Sequence, residues 1–135
     1  MGRAEHIHRV DGLAAGVPYA YAAVVPRSAR TVFLSGACPL DSDGKVVAVG
    51  SIVQQTVACL ANMERALAAA GAGIEDVVFV RALVASTLQA DLADVWEAVR
   101  TAFGAHRPPG TLVGVTVLGW PDQLVEIEVV AAIDD

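Results

Sequence analysis

The chain has 135 residues, 55% of them hydrophobic, so it has the size of one domain and enough apolar side chains for a core without disulfides or metal ions. Its net charge of −6, with Lys45 as the one lysine, offers no basic stripe for a phosphate backbone and argues against nucleic acid as a partner. No apolar run approaches the roughly 18 residues that cross a bilayer, and the N-terminal residues lack the apolar segment of a signal peptide. We therefore expect a single domain over residues 1–135, located in the cytoplasm and not bound to membranes.

The first third of the chain predicts short strands. Residues 21–25 and 31–35 are β-branched or aromatic runs, and Pro26 with a polar stretch separates them. Residues 41–44 have the composition of a tight turn, which leads into a third short strand predicted over residues 45–49.

The clearest helix begins at Ser51, which forms a capping box with Gln54. The helix is expected to end at Gly71. Between them, apolar or small side chains recur at steps of three and four, which is typical of a helix with one buried face. These residues are Val53, Thr56, Leu60, Met63, Leu67 and Ala70.

The second half of the chain predicts a strand, a helix and two further strands. Residues 77–86 are apolar on both alternating faces apart from Arg81, which is typical of a strand buried on both sides. A second helix is predicted over residues 90–103, and the last strands over residues 111–118 and 124–133.

This order of elements predicts an α+β fold with a sheet of five or six strands, and two helices can cover only one face of such a sheet. The charged fraction of 18% is low and the mean hydropathy of +0.54 is high for a soluble domain. We therefore expect the second face to pack against copies of the chain in a closed ring.

Several short motifs, taken together, resemble the RidA (YjgF-type, reactive intermediate deaminase) family over roughly residues 15–133. Their joint spacing is far more specific than any one of them. The matching stretches are Pro18-Tyr19, residues 32–36, Pro39-Leu40-Asp41 with Gly44, Gln55-Thr56, Leu60 with Asn62, residues 68–71 and 76–78, and residues 125–128 with Ala131.

The resemblance implies a chorismate-mutase-like α+β fold with a mixed sheet, two helices on one face, and a homotrimer around a central β-barrel. It also implies three small-molecule clefts at the subunit interfaces. Members of this family hydrolyse reactive enamines and imines to a carbonyl compound and ammonia, without a cofactor.

The same resemblance implies that Glu126 is the catalytic residue, guiding the proton of the attacking water. From the residues alone a second interpretation stays open, since Glu126 and Glu128 share one strand face and can equally be exposed or paired with an arginine. The substrate-binding positions implied by the resemblance are Tyr19, Ser35, Gly36, Trp96, Gly110, Thr111 and Leu112.

The sequence departs from the family where deaminating members carry a Pro-Ala-Arg-Ser stretch. Residues 108–111 are Pro-Pro-Gly-Thr here, so Gly110 replaces the arginine that binds the substrate carboxylate. We expect weak or absent activity on ordinary 2-imino acids. Whether Arg107 substitutes for the missing guanidinium stays open.

Three functions remain after these observations. The first is a hydrolytic deaminase acting on a non-standard enamine or imine, and the second is a non-catalytic metabolite-binding or regulatory trimer. A ribonuclease ranks last because the acidic chain offers few contacts to phosphate.

The histidines and cysteines predict no further site. His6 and His8 would share one face of a strand but lack a third ligand nearby, so we predict no metal site. Cys38 and Cys59 are expected to be buried thiols.

Overall fold

The computed structural model describes residues 3–134, which form six strands, two α-helices and one turn of 3-10 helix over Ile74–Asp76. This confirms the predicted α+β fold with two helices. The elements are β1 (Glu5–Ile7), β2 (Ala22–Val24), β3 (Arg30–Phe33), α1 (Ile52–Ala69), β4 (Val77–Val84), α2 (Gln89–Phe103), β5 (Gly110–Gly114) and β6 (Val125–Ile133).

The six strands divide between two sheets. Four of them form the main sheet in the order β3-β6-β4-β5, and β1 pairs with β2 in a separate antiparallel sheet. The main sheet is mixed, because β4 and β5 run parallel while β6 is antiparallel to both of its neighbours. Helix α2 makes the crossover that a parallel pair requires. Strand β6 comes last among these strands along the chain, but in the main sheet it lies between β3 and β4.

The prediction of a strand over residues 45–49 is wrong. Only one isolated bridge forms there, between Leu40 and Val46. The Asp41 carboxylate accepts hydrogen bonds from the backbone N–H groups of Asp43 and Lys45, which keeps the turn tight. Ala48 then takes a left-handed conformation with φ of 52°, so the extended backbone cannot continue.

Both helices lie on one face of the main sheet, as predicted. Ser51 caps α1 by accepting a hydrogen bond from the Gln54 backbone N–H at 3.2 Å, which is one half of the predicted capping box. The other half is absent, because the Ser51 backbone N–H donates to the Ala48 carbonyl. The core lies between the helices and alternate residues of the central strands. On the strands these core residues are Val80, Ala82, Val84, Val125, Ile127, Val129 and Ala131.

The other face of the main sheet, which we call the open face, is bare in the single chain. It is largely apolar, and its most exposed large side chain, Phe33, keeps 77% of its surface accessible. Arg81 lies over the Phe79 ring and forms an ion pair with Glu128 at 2.7 Å. None of the helices within residues 3–134 is long and apolar enough to cross a bilayer. The open face consists of Thr31, Phe33, Phe79, Arg81, Leu83, Thr111, Val113, Glu126, Glu128, Val130 and Ala132.

Candidate functional site

Glu126 projects from β6 onto the open face, where its strand partner is Leu83. It is half-buried, and two neighbouring side chains donate hydrogen bonds to its Oε1 atom. The Gln123 amide donates from Nε2 at 3.2 Å, and the Cys38 thiol donates from Sγ at 3.4 Å. The structure thus gives Glu126 the fixed environment that a proton-transfer group needs, whereas Glu128 pairs with Arg81.

The segment after β3 brings Gly36 and Cys38 to this carboxylate. Ala37 bonds to Ile127 of β6 through both backbone groups, at 2.7 Å and 3.1 Å, so the segment continues alongside β6 after β3 has ended. A Cβ atom at Gly36 would overlap the Glu126 carboxylate. Any residue other than glycine at this position would therefore displace the Glu126 side chain.

Two amide side chains hold this arrangement in place. Asn62 on α1 donates to the backbone carbonyls of Cys38 and Leu40, both at 2.9 Å, which fixes the segment against the helix. Gln123 is buried and accepts from the Trp120 backbone N–H at 3.1 Å while its Nε2 also donates to the Val125 carbonyl. The orientation of the Gln123 amide is therefore fixed, with Nε2 toward Glu126.

The Cys38 thiol is a hydrogen-bond donor in this cluster. Burial raises its pKa, and the adjacent Glu126 carboxylate raises it further, while Gln123 and Trp120 act weakly in the opposite direction. A thiolate at this position would face the carboxylate, so the thiol stays protonated at neutral pH.

The predicted positions Trp96, Gly110 and Leu112 lie on the opposite side of the main sheet, toward α2. A Cβ at Gly110 would come within 2.8 Å of Trp96 Cη2 and 2.9 Å of the Val80 carbonyl oxygen. Trp96 and Arg107 line a cavity of about 20 Å³ here, which has room for one water and not for a metabolite. Within one chain these residues therefore do not meet Glu126.

The remaining predicted positions are scattered. Tyr19 is half-buried and its ring makes an edge-on contact with Tyr21, with centroids 5.6 Å apart. Ser35 is exposed beside Gly36, and Thr111 is exposed on the open face in register with Arg81. Of the predicted set, the single chain brings together Glu126, Gly36 and the adjacent Ser35.

An open depression of about 730 Å³ lies beyond the carboxyl ends of β4 and β5. It begins two residues past Leu83, the strand partner of Glu126. The Ser86 hydroxyl donates to Asp91 at 2.7 Å and accepts from the Leu88 backbone N–H. Its lining contains no charged side chain and consists of Ala85, Ser86, Thr87, Leu88, Gln89, Leu92, Gly114, Val115 and Thr116.

The histidines cluster away from Glu126. The ring of His6 packs edge-on against His106, with centroids 4.9 Å apart, and stacks near His8 at 6.3 Å. The His106 Nε2 atom donates to the Val77 carbonyl at 2.8 Å. Among residues 3–134, no group of three side chains is arranged to hold a metal ion. The cluster joins the end of α2 to the small β1–β2 sheet.

Acid should destabilise the fold through His106. Burial lowers the pKa of its imidazole below the ordinary 6.5. Protonation of His106 is less favourable in the folded state than in the unfolded state, so acid lowers the free energy of unfolding. The contribution of neutral His106 is complete above the unfolded pKa of about 6.5, and it is lost as the pH falls through the lower pKa of the folded state. We expect His106→Gln, which keeps a donor for Val77, to lose less stability than the wild type between about pH 7 and about pH 5 in urea unfolding. The exposed His8→Gln variant is the control, and identical losses in both variants would place the acid sensitivity elsewhere.

Comparison with known proteins identifies the family. The model of the Endoribonuclease L-PSP family matches residues 11–133, so the chain belongs to this family, which includes the RidA and YjgF proteins. The chain is 32% identical over 118 residues to the 3-aminoacrylate deaminase RutC of Acinetobacter baylyi, covering 86% of this chain and 91% of that protein.

Solved structures show the same fold. A Rid-family protein of unknown function from Yersinia pestis, YyfB, superposes with a TM-score of 0.84 at 28% identity, over 94% of this chain and 97% of its own. Rv2704 of Mycobacterium tuberculosis, a member of the YjgF/YER057c/UK114 family, superposes with a TM-score of 0.64 at 30% identity, over 96% of this chain and 99% of its own.

Proposed function

We propose that this protein is a cofactor-free hydrolase that deaminates reactive enamine or imine metabolites, with Glu126 as its catalytic residue. The observation that carries the proposal is the Glu126 carboxylate, held by Cys38 and Gln123 and approached closely by the backbone of Gly36. The 32% identity to a 3-aminoacrylate deaminase supports this chemistry.

In the proposed reaction, Glu126 accepts a proton from water while the water oxygen bonds to the imine carbon. Glu126 returns this proton to the imine nitrogen, which gives a neutral carbinolamine. The carboxylate then takes the proton of the carbinolamine hydroxyl and passes it to the amine nitrogen, so the C=O bond forms as the C–N bond breaks, and the carbonyl compound and ammonia leave. An enamine enters the same sequence after tautomerising to the imine. Water is the only co-reactant, so no redox group or metal takes part in the proposed steps.

The proposal places the reaction in clefts between the subunits of a cytoplasmic homotrimer. The apolar open face, with Phe33 largely exposed, is the surface that copies of the chain would cover. Glu126 lies on one side of the main sheet, and Trp96 with Gly110 on the other. The packed Trp96 side leaves no space for a metabolite, so the proposed cleft forms on the open face, where Glu126 lies.

The substrate we propose is neutral rather than a simple 2-imino acid. Gly110 supplies no guanidinium for a carboxylate, and Arg107 lies on the Trp96 side of the sheet. The open depression beyond β4 and β5 has an uncharged lining. Each of these observations favours a substrate without a carboxylate group.

The first test compares two imines generated in situ with the protein in excess. One is 2-iminopropionate from a pyridoxal-phosphate lyase, and the other is a neutral imine without a carboxylate, from an amine oxidase. We expect ammonia release from the neutral imine to exceed the spontaneous rate by at least about tenfold, with little effect on 2-iminopropionate. No acceleration of either imine would overturn the proposal and favour the alternative below.

The alternative is a non-catalytic trimer that binds a neutral metabolite and signals to a partner. The packing around Gly110 favours this alternative. Trp96 and Val80 occupy the space that a side chain at this position would need, so no carboxylate-binding residue fits there. A ribonuclease remains the least supported function because the chain carries a net charge of −6.

A further inference from the structure

The two oxygens of the Glu126 carboxylate have unequal surroundings. Oε1 accepts both side-chain hydrogen bonds, from Cys38 Sγ at 3.4 Å and from Gln123 Nε2 at 3.2 Å. Oε2 is the atom nearest to the position that a Cβ of residue 36 would take, so it occupies the space that the glycine leaves. Within residues 3–134 no protein group bonds to Oε2. Two side chains therefore hold one oxygen of the carboxylate, and the other lies against the backbone of Gly36.

We infer that Cys38 is a positioning residue for Glu126, whose thiol acts with Gln123 to bind Oε1 so that Oε2 becomes the oxygen that takes and returns the proton. The inference rests on the proposed function, because it deepens the role of the same carboxylate. It assigns to Cys38 a part in the reaction without contact to substrate.

The position of the thiol is fixed by the backbone around it. Ala37, the residue before Cys38, forms backbone hydrogen bonds with Ile127, the residue after Glu126. The distance between the Cys38 and Glu126 side chains is therefore set by strand pairing and not by a mobile loop. Asn62 binds the Cys38 carbonyl at 2.9 Å and ties the same segment to α1. A donor with fixed backbone anchors restricts rotation of the carboxylate more effectively than a water molecule would.

The chemistry of the thiol suits a donor and not a nucleophile. Burial and the neighbouring carboxylate both raise the pKa of Cys38, which keeps the proton on sulfur at neutral pH. The S–H group is within reach of the Gly36 carbonyl oxygen at 3.6 Å as well as of Oε1 at 3.4 Å, and the contact with Oε1 is the shorter of the two. Proton transfer to and from water is left to Oε2.

The first experiment tests the contact between thiol and carboxylate without any assay of turnover. Alkylation of Cys38 by iodoacetamide is followed by mass spectrometry as a function of pH in the wild type and in Glu126→Gln. Removing the negative charge should lower the pKa of the thiol and speed alkylation near pH 8 several-fold, up to about tenfold for each unit of pKa change. Cys59 is buried with its own pKa raised, so it serves as an unreactive internal reference.

The matched control is Glu128→Gln, which removes a carboxylate from the same strand and face but one that pairs with Arg81. We expect its alkylation profile to match the wild type. Equal alkylation rates in wild type and Glu126→Gln would overturn the inference, because the thiol would then not sense the carboxylate. This result is independent of whether the protein turns over any imine.

The second experiment uses the substrate that the wild type hydrolyses. Cys38→Ala should lower kcat roughly three- to tenfold with little change in KM, and it should shift the acidic limb of the pH profile of kcat. Cys38→Ser keeps a hydrogen-bond donor and should therefore retain most of the wild-type kcat. Equal kcat values in all three proteins, or equal losses in both variants, would overturn the inference. An inactive wild type would instead count against the proposed function, and the alkylation result would still decide whether Cys38 contacts Glu126.

Discussion

Replacing Glu126 by glutamine should reduce hydrolysis of the accepted imine by about 10²- to 10⁴-fold, which is the range expected for loss of a general acid–base group. Glutamine has nearly the same shape and can still accept from Cys38 and Gln123 through its amide oxygen, so the fold should persist. The measurement is kcat/KM for ammonia release, with the melting temperature as a check on folding.

Glu128→Gln provides the comparison for this result as well. In the single chain its carboxylate is half-exposed and accepts a hydrogen bond from Arg81 at 2.7 Å, so another side chain already engages it. We expect its activity to stay within a few-fold of the wild type. If Glu126→Gln and Glu128→Gln lost activity equally, the loss would result from changing any carboxylate on the open face. Glu126 would then not be the catalytic residue.

Gly110→Arg, which introduces the arginine that the family resemblance implies at this position, should destabilise the protein and should not create activity on 2-iminopropionate. A Cβ at this position approaches the Val80 carbonyl oxygen, which is backbone and cannot rotate away, and also the Trp96 ring. Overpacking of this kind costs about 1–3 kcal/mol, which corresponds to a melting temperature lower by roughly 4–11 °C for a chain of this size.

Gly119→Arg makes the same substitution where the added side chain meets open space and the backbone needs no left-handed conformation. Its melting temperature should stay close to the wild type when both are measured at equal protein concentration. An unchanged melting temperature in Gly110→Arg together with new 2-iminopropionate hydrolysis would contradict this prediction. It would show that only the anchor, and not the space for it, had been lost.

The fold was largely predictable because its main signals are local. The Ser51 cap, the helical spacing of α1 and the apolar run of β4 each depend on residues close together in the sequence. The failed strand over residues 45–49 depended on side-chain hydrogen bonds from Asp41, which composition does not reveal. The pairing of β1 with β2, from Glu5 with Val24 to Ile7 with Ala22, was not predicted because three-residue strands have almost no periodic pattern.

The candidate site was predicted only in part. Gly36 and Glu126 were predicted as site residues through the family resemblance, and the structure brings the two into contact. The roles of Cys38 and Gln123 were missed because the contact from Cys38 to Glu126 spans 88 residues and appears only when the segment after β3 joins β6. The strand alternation that places Gly110 and Thr111 on opposite faces was available in the sequence, although the packing of Trp96 over Gly110 was not.

The position of β6 has a consequence for how the protein is made. Both helices and all other strands precede β6 along the chain, yet β6 lies between β3 and β4 in the main sheet. While the ribosome is still adding residues, the β4–α2–β5 unit can form, but β3 has no partner and its edge stays unpaired. The nascent chain therefore carries unpaired strand edges and an uncovered helix face until Val125–Ile133 emerges, and only then can the main sheet be completed.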